Sequence, residues 1–253
     1  MRSFDQTIEA WRARLPTIDP RRAALLSLAI FLIPIAFVHV VPHPLEQPLG
    51  VDFDLYRDVT RRWLDGGPYF EPYQVSGPYE IRAGDVLYPP AALWLFVPFA
   101  ITGLVGAVAW WIAPLGATAV AIWLLRPRPV VWPLLALCVA NPTTLLKIWT
   151  GNPVMWAMAA LAVATIAGRT RFAAPFVLLK PSLAPFALFG ANRRSWWVGL
   201  AVLGVMSLPF GSLWADWVAS VLNSRGGGLL YSVLEVPMLL LPLVAWFGRT
   251  RGG

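Results

Sequence analysis

Eight of the chain's 13 acidic residues, Glu46, Asp52, Asp54, Asp58, Asp65, Glu71, Glu80 and Asp85, fall within residues 42–88, against Arg57, Arg61, Arg62 and Arg82. From Val86 to Ala215 there is neither Asp nor Glu, so carboxylate-dependent chemistry is expected to come from this loop. Asp52 is the leading candidate there, as a general base that accepts the proton of an attacking hydroxyl. It also begins an amphipathic stretch, with Asp54 in the same first turn. Two acids at that place suit a helix N-terminus, one as a cap and one against the helix dipole. Capping and catalysis are compatible, and the sequence leaves both open.

A cation to oppose such a base is found at Lys180, inside the apolar run Phe176–Phe189 and one of only two lysines in the chain. A charge in a membrane-spanning segment costs about 2.5–3.5 kcal/mol on the insertion scale, so it is expected to have a partner or a polar cavity. Lys180 then serves as a counter-charge for a phosphate, or snorkels from a helix end broken at Pro181. Lys147, close to Trp149 near an expected interface, reads as a snorkelling residue. Trp63, Tyr69, Tyr73 and Tyr79 could stack on a sugar ring or form an interfacial belt. His39 and His43 lack metal-ligand spacing. Cys138 is the single cysteine and reads as packing.

The elements that must position these residues are helices in a membrane. The 253 residues are 58% hydrophobic and 13% charged, with 14 Trp and 24 Pro, and the mean hydropathy of +0.63 excludes an ordinary soluble domain. Stretches such as Leu25–Val41 and Val105–Leu125 are apolar on every face, unlike the alternating strands of a barrel. The expected fold is therefore an all-α, polytopic membrane protein with seven or eight hydrophobic segments: 24–41, 89–101, 104–125, 130–146, 153–168, 172–190, 197–210 and 229–247. Pro98, Pro114, Pro133, Pro181 and Pro185 predict broken or half-crossing helices among them. A cytoplasmic segment 1–23 precedes a single transmembrane domain, 24–247, and 248–253 forms a tail. The net charge of +7 sits in short Arg clusters that read as topology signals rather than as a nucleic-acid surface. With a cytoplasmic N-terminus, loop 42–88 is extracytoplasmic. Strict alternation would then place Arg126, Arg128, Arg169 and Arg171 outside, against their preference. Phe53, Tyr56, Val59 and Trp63 recur at helical spacing and Gly66-Gly67-Pro68 closes the pattern, predicting an amphipathic helix at the interface.

Three groups of residues carry a resemblance: Val51-Asp52-Phe53-Asp54-Leu55-Tyr56, Trp63-Leu64-Asp65-Gly66-Gly67-Pro68-Tyr69, and Leu87-Tyr88-Pro89-Pro90. With Gly151-Asn152-Pro153, Leu179-Lys180-Pro181-Ser182 and Asn192-Arg193-Arg194-Ser195-Trp196, in the same order over about residues 25–200, they resemble glycosyltransferase family 87, the polyprenol-phosphate-mannose-dependent mannosyltransferases. The resemblance implies a GT-C fold in a bacterial cytoplasmic membrane and transfer of a hexose, mannose, from a polyprenyl-phosphate donor to a glycolipid or glycan acceptor. It implies no metal and no cofactor. Asp52 matches the family's catalytic base, with Asp54 and Tyr56 in support; Lys180, and Arg57 beside it in role, would hold the donor phosphate. Trp63, Tyr69 and Tyr88 would contact sugar or acceptor. The chain departs from the family's Gly-Gln-x-Asn at Gly151-Asn152-Pro153-Val154, and it is well short of the family's usual length. A non-catalytic membrane subunit that binds a partner transferase is the alternative expectation, and a transporter with broken helices around Lys180 is a third.

Overall fold

The computed structural model describes residues 4–38, 47–82, 84–225 and 232–250; His39, His43 and Glu46 lie outside them. Helices α1 (Phe4–Ala13) and α2 (Pro20–Val38) lead to α3 (Val51–Leu64), a short α4 (Pro72–Ser76) and strand β1 (Tyr79–Glu80). Then come α5 (Leu93–Ile101), α6 (Gly103–Leu125), α7 (Trp132–Ala140), α8 (Pro142–Thr150) and α9 (Val154–Ile166). A run of 3₁₀ turns, Gly168–Leu179, and α10 (Ala184–Ala187) precede α11 (Arg194–Ser207), α12 (Leu213–Asn223), β2 (Ser224–Arg225) and α13 (Val236–Phe247). The chain is thus mostly helical. Its small sheet is a parallel pairing of Tyr79 with Ser224 and Glu80 with Arg225.

Among the described residues one helix, Gly103–Leu125, is long and apolar enough to cross a membrane. Two further pairs qualify if each is one bent span: Pro129–Ala140 with Pro142–Thr150, at 54°, and Arg194–Phe210 with Leu213–Asn223, at 97°. These two bends, at Asn141 and at Gly211-Ser212, fall away from the prolines expected to break the chain, of which Pro181 does mark a break: the 3₁₀ run ends at Leu179 and a separate turn starts at Pro181. Pro98 and Pro114 lie inside α5 and α6, whereas the first bend follows Asn141-Pro142. There the Asn141 carboxamide oxygen accepts from the Thr143 amide at 3.0 Å and caps α8, with Pro142 at the first helical position, where it lacks no needed donor.

Segment 172–190, in which Pro181 and Pro185 predict a break, dips and returns. Its ends meet: the Arg171 guanidinium lies 4.1 Å from the centre of the Phe189 ring, and a Cβ at Gly190 would stand 2.4 Å from the Arg171 side chain. Its middle, at Lys180, reaches the N-terminal end of α13. The other end of α13 collects the arginines. Arg12 Nε donates to the Phe247 carbonyl at 2.8 Å, Arg128 Nη1 donates to the Arg12 carbonyl at 3.0 Å, and Arg171 and Arg249 both overlie the Trp246 ring. Arginines that strict alternation would divide between two faces therefore share one, with α1.

The main core joins Phe53, Tyr56, Phe96, Trp110, Met158 and Leu239. The outer surface is unusually apolar: Leu25 and Leu32 on α2, Leu104, Val105 and Trp123 on α6, Val205 on α11 and Leu222 on α12 are all exposed. The closest packing lies between α11 and the 3₁₀ run, where a Cβ at Gly199 would stand 1.9 Å from the Phe172 carbonyl oxygen. Gly199→Ala is expected to destabilise the protein by about 1–3 kcal/mol through overpacking. Gly204→Ala, on the same helix with open space around it, should be neutral or stabilising by up to about 1 kcal/mol; thermal unfolding in detergent compares the two.

Candidate functional site

Asp52 does not cap its own helix. The N-cap of α3 is Gly50, at φ 78°, with no side-chain cap, and Asp52 lies in the first turn with its carboxylate turned across to another element. Its Oδ2 accepts hydrogen bonds from Thr150 Oγ1 and from Asn152 Nδ2, each at 2.7 Å. These donors flank the turn between α8 and α9. Gly151 between them takes φ 72°, a left-handed conformation that closes α8 and that glycine adopts without penalty. It also permits close approach, since a Cβ there would stand 2.6 Å from Trp111 and 2.9 Å from Phe53. The turn is fixed from α6 by two indoles: Trp110 Nε1 donates to the Gly151 carbonyl and Trp111 Nε1 to the Ile148 carbonyl, both at 2.7 Å.

The amphipathic face of α3 rests on protein. Phe53 packs on Trp110 and Trp111 at centroid distances of 5.5 and 5.4 Å, and Tyr56 stacks on Phe96 at 4.9 Å. Burial raises the Tyr56 and Tyr69 phenols above their ordinary range, so both stay neutral.

Lys180 and Lys147 complete the constellation. Lys180 Nζ stands 2.5 Å from Glu235 Oε1, and Lys147 Nζ stands 3.8 Å from the same oxygen. The snorkelling expected of Lys147 does not occur: the residue is only 4% exposed, because α8 turns it inward one turn before Thr150. Nor is the loop the sole source of carboxylates. Glu235, whose side chain has 0% exposure, sits at the N-cap of α13, and Asp52 lies within electrostatic reach of Lys147. Tyr88 adjoins the group, with Lys180 Nζ 5.5 Å from its ring centre and its edge against Tyr56 at 5.1 Å.

Other expected site residues lie apart. Asp54 is half exposed and pairs with Arg57 at 2.8 Å, and Arg57 also bonds Asp58 at 2.9 Å. Arg57 is five residues from Asp52, about 140° around the helix, so the structure does not bring it to Lys180. Trp63 packs near Phe210 at 6.1 Å. Tyr69 is buried edge-on to Phe70. Tyr73 is tied to Asp85 in the loop, a bond that pushes its phenol up to about 12.

No family model matches the chain, and searches of curated proteins and of solved structures return no relative.

Four polar residues of the site were missed from sequence: Lys147 as a member, Thr150, Asn152 as a donor to Asp52, and Glu235. Glu235 carried a readable signal, as an ionisable residue inside the apolar segment 229–247. Asn152 works twice, since its Oδ1 also accepts from the Val154 amide at 3.1 Å and caps α9. Asn152→Leu removes both bonds and is expected to cost about 2 kcal/mol or more, read as a lowered unfolding temperature, with Asn152→Gln costing nearly as much because its longer arm misplaces both groups.

Proposed function

We propose that this protein is a membrane glycosyltransferase that moves a hexose, mannose, from a polyprenyl-phosphate donor to a hydroxyl of a glycolipid or glycan on the extracytoplasmic face. The observation that carries this reading is Asp52, a carboxylate in the first turn of the loop helix, held through one oxygen by Thr150 and Asn152, with the buried Lys147 within electrostatic reach. The resemblance of the loop motifs to glycosyltransferase family 87 supports it, and so does the placement of Lys180 within the same constellation as Asp52.

In the reaction the acceptor oxygen bonds to the anomeric carbon while the bond from that carbon to the phosphate oxygen breaks with inversion. The acceptor proton passes to Asp52, and the electron pair leaves with the phosphate. Negative charge grows on that phosphate as the bond breaks, so a fixed ammonium in a dry site stabilises the transition state more than the ground state. Lys180 is the cation for this role. The carboxylate is already oriented by its two donors, and little reorganisation is left for the moment of reaction.

A polytopic membrane setting is part of the proposal. The apolar outer surface of α2, α6, α11 and α12 would meet lipid. The arginines around the C-terminal end of α13 would face the cytoplasm, and α3 with its loop lies toward the opposite, Glu235 end of that helix.

Asp52→Asn is expected to lower transfer from polyprenyl-phosphate mannose by about a hundredfold to ten-thousandfold, while Asp54→Asn remains within a few-fold of wild type. Full transfer by Asp52→Asn would remove the base assignment and favour a non-catalytic subunit. For topology, in a Cys138→Ser background in intact cells, an impermeant thiol reagent should label Ser76→Cys, at an exposed loop position, and spare Arg14→Cys, exposed beside α1.

A further inference from the structure

At the end of the molecule where α13 finishes, an exposed tryptophan stands three residues from an exposed arginine on each of three elements. Trp11 of α1 is followed by Arg14, just past that helix; Trp123 of α6 is followed by Arg126, its C-cap; and Arg194 opens α11 one turn before Trp197. Residues so spaced lie on one side of a helix, and in each pair the arginine is nearer the helix end. The tryptophans are 60%, 67% and 60% exposed, and the arginines are exposed as well. None of the three guanidinium groups makes an ion pair or ring contact among the described residues. Hydrogen bonds gather the three elements at this end. Arg12 of α1 reaches the Phe247 carbonyl, the Arg128 amide just after α6 donates to the Gly248 carbonyl at 2.8 Å, and Ser195 of α11 donates to the Gly168 carbonyl at 2.7 Å, close to Arg171 and its contact with Trp246. Glu9, a nearby carboxylate, is taken up by Arg12 and Arg249. Arg126 adds an independent sign. Among the described residues it is the one non-glycine with positive φ, at 47°, a left-handed conformation that suits glycine and disfavours a residue with a Cβ. Its turn is clamped, since the Arg126 amide donates to the Ile122 and Trp123 carbonyls at 3.2 and 3.3 Å and the Thr250 hydroxyl donates to the Arg126 carbonyl at 2.9 Å. Glycine would close α6 here without strain, so it is the side chain that accounts for an arginine at this place.

We propose that these tryptophan and arginine pairs form a docking surface for anionic phospholipid headgroups at the arginine end of the molecule, with Arg126 as a fixed ligand for the lipid phosphate. The inference rests on the membrane setting proposed above and not on the transfer chemistry. Indole rings settle at the boundary between acyl chains and headgroups. A guanidinium one turn farther out then lies at the depth of the phosphate, which it can meet with two parallel N–H donors. Behind Trp123 the outer face of α6 stays apolar, with Val120 and Ile112 exposed toward the acyl chains. Net charge selects among the lipids. A zwitterionic headgroup carries its own cation, which competes for the phosphate, whereas an anionic headgroup leaves a charge that an unpaired arginine can balance. Attraction of one arginine to an anionic leaflet is worth about fivefold in binding.

The test uses the full chain in neutral detergent, titrated with phosphatidylglycerol or with phosphatidylcholine of the same acyl chains, and reads bound lipid by native mass spectrometry beside the unfolding temperature. Wild type should bind phosphatidylglycerol in preference and gain more thermal stability from it. Arg126→Gly should unfold without lipid at the same temperature as wild type or higher, because glycine adopts the left-handed turn freely, yet bind phosphatidylglycerol about fivefold more weakly. Arg126→Lys should retain most of the binding. Arg14→Gln and Arg194→Gln should each weaken it by a similar factor, and Arg225→Gln, exposed at the opposite, loop end, should leave it unchanged. Equal response of wild type to the two lipids, or wild-type preference in Arg126→Gly, would overturn the proposal. So would an equal loss in Arg225→Gln, which would mean attraction to the chain's net charge alone, or displacement of phosphatidylglycerol by inorganic phosphate at equal concentration, which would mean a site for free anions. Should a glutamine variant fail to fold, Arg126→Gly decides. Since neither lipid is a sugar donor, selective binding without transfer from polyprenyl-phosphate hexoses would keep the lipid surface and sink the transferase. Transfer with equal response to both lipids would do the reverse.

Discussion

An ammonium and a carboxylate 2.5 Å apart, the carboxylate fully out of solvent, can be held only if the chain segments that carry them are brought together against a considerable desolvation cost. Lys180 and Glu235, 55 residues apart, impose that condition here. Lys180 can meet it because its segment is not a through-going helix: the 3₁₀ run descends to Lys180 and the chain turns back at Pro181. Glu235 can meet it because it stands at the N-terminal end of α13, with Ser232 tied to Ser182 at 2.6 Å just before it. Much of the helix order follows. α9 and α13 pack around the dip, and α8 delivers Lys147 to the same carboxylate and Thr150 to Asp52.

The opposite end of α13 obeys a different constraint. Four carbonyls at a helix C-terminus lack internal donors, and here Arg12 of α1 supplies one, bonding the Phe247 carbonyl while its guanidinium overlies Trp246. Arg249 and Arg171 add positive charge where the helix dipole is negative. The arginines that look like simple sidedness signals in the sequence are thus also the caps and covers of one helix end. An arginine can do both because its apolar stem and planar head pack on an aromatic ring while its donors reach carbonyls.

How much of this was legible from sequence follows from the range of each interaction. Helical character was legible, because apolar periodicity is local, and so was α3, whose stripe of Phe53, Tyr56 and Val59 is buried as its spacing implies. The fate of the Asp52 side chain was not. A helix-start aspartate reads as a cap from its neighbours alone, and only a donor about a hundred residues away, Asn152, decides otherwise. In segment 172–190 the break is legible in Pro181 and Pro185, but that the chain returns there rather than bending and going on depends on contacts with α11 and α13 that no local pattern encodes. Lys147 was misread for a related reason: beside Trp149 it has the composition of an interfacial residue, while its burial depends on Glu235 in a different part of the chain.

The bonds that fix Asp52 also join the loop to the helical core. Thr150 and Asn152 belong to the α8–α9 turn, Trp110 and Trp111 fasten that turn to α6, and Gly50, from which α3 starts, donates to the Trp149 carbonyl at 3.0 Å. A carboxylate on a free surface helix would sample many rotamers and pay entropy each time it was needed in one. Fastened from both sides, Asp52 is held by the same packing that stabilises the fold, and its position becomes a property of the core rather than of the loop. Loop helix and buried ion cluster therefore form a single unit: a change that loosens the α8–α9 turn displaces the carboxylate of Asp52 and the ammonium of Lys147 together, because one short helix, α8, carries Lys147 and Thr150 three residues apart.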